Sequence, residues 1–375
     1  MYDWFKKMRK EQLVYFDGKV WNVFTYNDCK QILNDHVNFS SDLTEYNEKV
    51  SYLRESKTLF DLPTRYTMLT SDPPLHDELR NIASPFFTPS KISEMEEYVR
   101  EIVENLIKEV QSEEVDVVSK IAIPVPILVI MKMLGIKEEV DKVKDWSDLI
   151  ALRLGKPQEI FKIGRKYLSL VNFSKKVVRN KPEAELTSAI VNSNLSEIEK
   201  MGYIILLMIA GNETTTNLIS NAIHDLTTMN LWENVIGNSV KVVEEALRYS
   251  PPVMRTIRKV KREVILRGKE IKEGEMIRVW IASANRDEEV FKDPDKFIPN
   301  RTPNPHLSFG SGIHFCLGAP LARLETRVVL EELAERFKFK RVVYKEKVDN
   351  EVLNGYKKLV VEVALWATSE LYKNL

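Results

Sequence analysis

The sequence has little cysteine and little histidine, and this scarcity excludes several kinds of site. Its 375 residues include two cysteines, Cys29 and Cys316, and five histidines. Two distant cysteines offer no disulfide framework, so we expect a reducing, intracellular and cytoplasmic setting. A structural zinc site needs about four Cys or His ligands in paired spacing, and the sequence contains no such set.

An excess of one charge and long apolar runs are also lacking. Lys plus Arg and Asp plus Glu each number 55, so the balance favours neither nucleic acid nor an anionic membrane as a partner. The longest apolar runs, residues 121–131 and 204–210, are shorter than the roughly 20 residues that span a bilayer. Residues 1–7 lack the apolar core of a signal peptide. We therefore expect a soluble protein with no membrane partner.

A glycine-rich loop surrounds the second cysteine. Residues 309–318 read Phe-Gly-Ser-Gly-Ile-His-Phe-Cys-Leu-Gly, and a helical pattern follows from Ala319. Glycines let the backbone turn tightly, and the positive end of a following helix favours an anion. Both effects lower the pKa of a thiol, so Cys316 is placed to act as a thiolate ligand. A single thiolate fits a metal that carries most of its own ligands, with haem iron the leading case. The alternative is a buried, inert cysteine.

A long helical pattern over residues 196–229 contains poor helix formers at its centre. Residues 210–215 read Ala-Gly-Asn-Glu-Thr-Thr, and glycine costs a helix about 1 kcal/mol relative to alanine. Thr214 can bond back to the carbonyl of Ala210, four residues earlier. The segment therefore predicts either a kinked core helix or a small cleft in which Glu213 and Thr214 bring protons to a bound ligand.

Three further charged features are ambiguous when each is taken alone. His76 and Arg80 stand four residues apart on one helix face and are typical of a solvated polar stripe. Glu245 and Arg248 have the i, i+3 spacing of a surface ion pair. Arg258, in an extended stretch, is typical of an exposed cation.

Together these motifs resemble those of the cytochrome P-450 monooxygenases. Phe309-x-x-Gly312-x-x-x-Cys316-x-Gly318 is similar to the haem-thiolate signature, and residues 210–215 are similar to the family segment that crosses the distal haem face. The Pro-Pro-x-His-x-x-x-Arg pattern at 73–80 and Glu-x-x-Arg at 245–248 occur in the expected order. The length and short loops are most similar to the compact thermophilic archaeal type. A charged fraction of 29% is typical of thermophiles, whereas the abundant Asn is not.

The resemblance implies a fold and a cofactor. We expect the mainly α cytochrome P-450 fold with small β-sheets, in which a long central helix crosses a buried haem b. Residues 1–375 are expected to form one domain. Its β-containing region would comprise about 1–70 and parts of 252–375, and its helical region about 71–250.

The resemblance also implies roles for particular residues. Cys316 would be the axial ligand of the haem iron, and Thr214 with Glu213 would be catalytic. The other side chains expected to contact the haem are His76, Arg80, Ala210, Gly211, Thr256, Arg258, Phe309 and His314. A buried charge network that fixes the cysteine loop would consist of Glu245, Arg248 and Arg301. Candidates for an apolar substrate pocket are Leu69, Leu206, Ala210, Val253 and Leu353.

The implied function is monooxygenation. One oxygen atom of O₂ would be inserted into a small apolar organic substrate, with electrons from an external donor because the sequence has no flavin or reductase motif. We expect an acidic ferredoxin that docks behind Cys316 through Arg80, Arg323 and nearby lysines. Two alternatives stay open, namely a peroxide-driven peroxygenase and a haem-thiolate sensor without turnover.

Overall fold

The computed structural model describes residues 1–43, 67–155 and 164–365, with the backbone alone for 149–155 and 164. Between residues 40 and 71 the sequence has no lasting helical or strand period and predicts irregular structure, and most of this stretch lies outside the described residues. Gly155 and Pro157 predict a hinge at residues 154–157, which lies partly outside them.

The described chain is mainly helical. In chain order the α-helices are α1 (Tyr2–Glu11), α2 (Tyr26–Asn34), α3 (Leu75–Ala83), α4 (Pro89–Ser93), α5 (Glu96–Lys108), α6 (Pro124–Leu134), α7 (Val140–Gly155), α8 (Gly164–Arg179), α9 (Glu185–Val191), α10 (Glu197–Ala210), α11 (Asn212–Thr228), α12 (Ser239–Tyr249), α13 (Ile281–Ala284) and α14 (Ala319–Arg336). None of these helices is long and apolar enough to cross a membrane.

In the part of the chain that the structure describes, the strands form three small sheets. The strands are β1 (Val14–Phe16), β2 (Trp21–Val23), β3 (Phe39–Ser40), β4 (Glu114–Asp116), β5 (Thr256–Val260), β6 (Val264–Leu266), β7 (Lys269–Ile271), β8 (Met276–Val279), β9 (Phe337–Lys347) and β10 (Tyr356–Leu365). The largest sheet has the order β1-β2-β8-β5-β3, with β2 and β8 parallel. The other two have the order β4-β10-β9 and the pair β6-β7. The predicted mainly α fold with small sheets is confirmed.

Helices α10 and α11 follow one another through the centre of the protein, and α10 begins at a capping box. The Ser196 hydroxyl accepts from the backbone N–H of Glu199, and the Glu199 carboxylate accepts from the Ser196 N–H at 2.7 Å. Every residue of 201–209 is buried, so α10 lies inside the main core with other helices around it. Gly211 separates α10 from α11. The helix predicted over 196–229 is therefore two helices that meet at the predicted weak point.

Some element boundaries differ from those that the sequence predicts. The pair Asp17-Gly18 predicts a tight two-residue turn, but the structure has a four-residue loop, because Asp17 accepts bonds from the N–H groups of Lys19 and Val20. The helical period over 117–135 predicts one helix, which starts with a π-helical segment at 118–122 before Pro124. Asn27 and Asp28 are candidate caps in the sequence, but Thr25 caps α2.

The turn between β9 and β10 packs directly on the central helix. Gly355 is buried, and a Cβ built on it would overlap the Asn217 amide and lie 2.8 Å from the Asn217 Cβ. Asn217 is 1% exposed and belongs to α11. This contact holds the turn between β9 and β10 against α11.

We predict that Gly355→Ala destabilises the protein by about 1–3 kcal/mol, because the added methyl overpacks a filled interior. Chemical denaturation of Gly355→Ala, Asn217→Ala and the double variant measures the effect. Truncation of Asn217 should recover part of the loss in the double variant, as expected for two residues in contact. Additive losses would contradict the contact.

Candidate active site

The cysteine loop is held in a tight conformation by main-chain hydrogen bonds. The N–H of Cys316 donates to the carbonyl of Phe309 at 2.8 Å, and the N–H of Phe315 donates to the carbonyl of Gly312 at 3.0 Å. Gly312 has φ +72°, and a Cβ there would lie 2.8 Å from the Leu33 carbonyl oxygen of α2. The loop therefore needs glycine at 312 for both its turn and its packing.

The Cys316 thiol is accessible although protein surrounds it densely, and it lies three residues before α14 begins. Burial raises the pKa of this thiol, while hydrogen bonding to the Gly318 backbone and the charges of Arg80 and Arg323 oppose the rise. The backbone hydrogen bonds at the start of α14 lower this pKa, as expected from the sequence, but the effect of burial is larger. A cation bound at the sulfur would favour the thiolate.

A group of basic side chains surrounds the same loop. The Nη2 of Arg80 donates to the carbonyl of Phe315 at 2.9 Å. The rings of His76 and His314 lie 4.5 Å apart between centroids. Both histidines have a buried Nε2 atom without a partner among the described residues. Because a buried imidazole nitrogen needs a hydrogen-bond partner, we expect a further polar group beside these two atoms.

Arg258 adds a buried cation to this group. It is 7% exposed, and burial lowers the pKa of its guanidinium to about 10. Its Nη1 donates to the Thr256 hydroxyl at 3.2 Å, which is a neutral acceptor. Burial, together with the positive charges of Arg258 and His76, lowers the pKa of His314 to about 3. An anion at this place would compensate these groups, so they fit the two propionates of a haem.

The break between α10 and α11 is pinned by side-chain hydrogen bonds. The hydroxyl of Thr214 donates to the carbonyl of Ala210 at 2.8 Å, as expected from the sequence. Asn212 donates to the Ser147 hydroxyl of α7 at 2.8 Å. Ala210 is accessible, although the nine residues before it are all buried. The break therefore presents Ala210 and Gly211 to open space.

Glu213 is held by a lysine of another helix. The Nζ of Lys144, on α7, lies 2.8 Å from Glu213 Oε1 and also contacts the Asp148 carboxylate. Burial raises the pKa of Glu213, and the nearby ammonium of Lys144 opposes this rise. Lys144 was missed in the sequence, where nothing marks a lysine 69 residues away as the partner of Glu213.

The Glu-x-x-Arg motif forms a buried charge network. Glu245 and Arg248 are both fully buried, and the Arg248 Nη2 donates to Glu245 Oε1 at 2.7 Å. The Nε of Arg301 donates to both Glu245 oxygens at 3.0 Å. Arg248 also donates to three backbone carbonyls between residues 285 and 296. The network thus ties α12 to the segment that leads into the cysteine loop.

A second cluster on α12 was missed in the sequence. Glu244 accepts bonds from Arg323 Nε at 2.6 Å and from His306 Nε2 at 3.1 Å. Adjacent residues of a helix point to different sides. The glutamate at 244, next to Glu245, was therefore the signal in the sequence that could have revealed a second cluster. The Arg323 predicted to meet an electron donor is therefore already paired with Glu244.

The pocket candidates are spread over several elements. Val253 pairs with Leu353 in an isolated β-bridge, so the structure brings these two together. Leu206 is 8% exposed on α10, one turn before Ala210. Leu69 is 59% exposed and lies in a turn at 67–70.

We predict that Arg248→Met destabilises the protein by about 3–5 kcal/mol, because it leaves the Glu245 carboxylate buried without its partner. The exposed pair Lys7–Glu11, at 3.7 Å, provides the control. Lys7→Met should cost less than about 1 kcal/mol. Denaturant unfolding of both variants checks this, and equal losses would contradict a structural role for the network.

Comparison with known proteins places the chain in a family. The cytochrome P-450 family model matches residues 240–363. The chain is 66% identical to Cytochrome P-450 119 of Sulfurisphaera tokodaii, over 97% of this chain and 99% of that protein. The crystal structure of a thermophilic cytochrome P-450 from Sulfolobus tokodaii aligns with a TM-score of 0.90 and 65% identity, covering 97% of this chain and 100% of that one. CYP109E1 from Bacillus megaterium, in complex with testosterone, aligns with a TM-score of 0.85 and 33% identity, covering 96% and 97%.

The motifs and the sequence identity along almost the whole chain indicate the same family. The family uses haem b as its cofactor and external electrons for its reaction. The chain belongs to the cytochrome P-450 family, and it is an oxidoreductase of the haem-thiolate monooxygenase type.

Proposed function

We propose that Cys316 is the axial ligand of the haem iron in a monooxygenase that acts on small apolar organic molecules. The observation that carries this proposal is that an accessible thiol and a set of buried basic groups meet at one loop. Arg80 bonds to Phe315, next to the cysteine, and His314 contacts His76. A metal cofactor with two carboxylates would account for both features, because its metal would bind the thiolate and its carboxylates would bind the basic groups.

The propionates would be held by the basic group around the loop. His76, Arg80, Arg258 and His314 supply the donors, with Thr256 orienting the Arg258 guanidinium through its hydroxyl. Charged donors to carboxylates make strong, short hydrogen bonds. Phe309, 9% exposed, packs in the main core beside the loop and would lie behind the thiolate. When bound, the haem supplies the activation of dioxygen and the transfer of one oxygen atom.

Thr214 and Glu213 would deliver protons at the break between α10 and α11. The Thr214 hydroxyl is fixed by the Ala210 carbonyl and can turn its lone pairs toward a water molecule. Glu213 is 14% exposed and is joined through Lys144 to Asp148, whose side chain is 50% exposed. These contacts form a line of exchangeable protons from the protein surface to the break, which is the arrangement that proton delivery requires.

The substrate would lie against the apolar side chains near the break. Val253 and Leu353 are adjacent, and Leu206 lies one turn before Ala210 on the same helix. CYP109E1 forms a complex with testosterone, which supports an apolar ligand for the present chain. Leu69 would contact the substrate from the turn at 67–70.

The electrons would come from a ferredoxin that docks behind Cys316. Arg80 lies on this side of the loop and would contribute positive charge. The contribution of Arg323 is reduced because Glu244 pairs with it. The rate of haem reduction by a ferredoxin should therefore fall as salt is added.

Turnover under ¹⁸O₂ tests the proposed reaction. Apolar molecules that perturb the haem spectrum are first selected, and then oxidised with a ferredoxin and its reductase. We expect one ¹⁸O atom in each product molecule. Product formed with hydrogen peroxide alone, and none with O₂ and electrons, would identify a peroxygenase. Spectral binding without any product would identify a sensor.

We predict that Thr214→Ala lowers the yield of product per electron consumed several-fold, because the hydroxyl that positions a proton donor is lost. Thr228→Ala is the matched control, since Thr228 makes the same bond to the carbonyl four residues earlier, at 2.8 Å, on the same helix. The control should keep wild-type yield. Equal yields in both variants would contradict the role of Thr214.

A further inference from the structure

A charge cluster separate from the Glu-x-x-Arg network lies behind the cysteine loop. Arg323, on the second turn of α14, makes two hydrogen bonds to Glu244, from Nε at 2.6 Å and from Nη2 at 3.0 Å. His306 Nε2 contacts the same carboxylate at 3.1 Å, and its Nδ1 accepts from the Ser308 N–H at 3.3 Å. The cluster thus joins α12, α14 and the segment that enters the loop.

The carboxylate of Glu244 carries a full negative charge. Despite the cost of burial, hydrogen bonds from His306 and Arg323 lower its pKa to about 2. Its side chain is 25% exposed, and that of Arg323 is 37% exposed. The pair is therefore ionised at neutral pH and only partly screened by water.

Arg323 is coupled to the cysteine loop through an aromatic ring. Its guanidinium carbon lies 4.5 Å from the centroid of the Phe309 ring. The carbonyl of Phe309 accepts the N–H of Cys316. Arg80 lies on another helix, α3, and its Nη2 donates to the neutral carbonyl of Phe315.

We propose that Glu244 sets the reduction potential of the haem by neutralising Arg323, the cation that stacks on Phe309 behind the axial cysteine. The inference rests on the proposed ligation by Cys316. Glu244 is then a positioning residue, because it acts through Arg323 and touches neither haem nor substrate. Its negative charge holds the reduction potential lower than the Arg323 cation acting alone would set it.

The sign of the effect follows from the charges. Reduction adds one electron to the iron, so positive charge nearby favours the reduced form. Glu244→Gln removes the counter-charge and leaves the Arg323 cation acting alone, so the potential should rise. Arg323→Gln removes the cation and should lower the potential. The amide of Gln keeps an oxygen that can accept from Arg323 and His306, so the loop should keep its fold.

Glu96→Gln is the matched control. Glu96 pairs with Arg327 at 2.6 Å, the same distance, but Arg327 lies one turn further along α14 from the loop. Both substitutions change the protein's charge by the same amount. A potential that depends only on net charge would shift equally in the two variants.

Spectroelectrochemical titration of the holoenzyme measures the reduction potential of the wild type and of four variants. These are Glu244→Gln, Arg323→Gln, Glu96→Gln and the double variant Glu244→Gln/Arg323→Gln. We expect Glu244→Gln to raise the equilibrium constant for reduction roughly three- to tenfold, where tenfold is 59 mV for one electron. Glu96→Gln should change it by much less, Arg323→Gln should lower it, and the double variant should lie between the single ones.

The carbon monoxide spectrum of each reduced variant separates this inference from the proposed ligation. A strongly red-shifted Soret band in every variant, with equal shifts for Glu244→Gln and Glu96→Gln, would overturn the role of Glu244 and leave Cys316 as ligand. Loss of that band in Glu244→Gln would show that Glu244 only maintains the loop, and would also overturn the inference. Absence of the band in the wild type would instead overturn the proposed ligation.

Discussion

Cys316 lies just before α14, where burial opposes a negative charge on its sulfur. Burial raises the pKa of the free thiol, and neither the loop nor the helix end reverses this. At the same loop, His76 and His314 each have a buried Nε2 atom without a hydrogen-bond partner among the described residues. A haem bound here would meet both demands, because its iron would stabilise the thiolate and its propionates would compensate the basic groups.

Helix α12 organises the protein around this cysteine. Two adjacent glutamates leave it in different directions, Glu245 to the buried Arg248 and Arg301, and Glu244 to Arg323 and His306. The first network fixes the segment that leads into the loop, and the second joins the segment before the loop to the helix after it. In the proposed account, Glu245 supports the cysteine loop and its neighbour Glu244 tunes the electrostatics behind it.

The sequence predicted most of the features that depend on local chemistry. The glycine loop, the break at Gly211 and the Thr214 bond to Ala210 involve residues close together in the chain, where spacing is informative. The Lys144–Glu213 pair could not be predicted, because it joins helices that only tertiary packing brings together. The net direction of the shift in the Cys316 pKa could not be predicted for a related reason, since desolvation depends on the whole surrounding protein.

The absorption spectrum of the dithionite-reduced protein with carbon monoxide, for the wild type and Cys316→His, tests the central claim most directly. The account predicts a strongly red-shifted Soret band in the wild type and its absence in the variant. Failure of the haem-supplied wild type to bind haem, or the same band in the variant, would contradict ligation by Cys316.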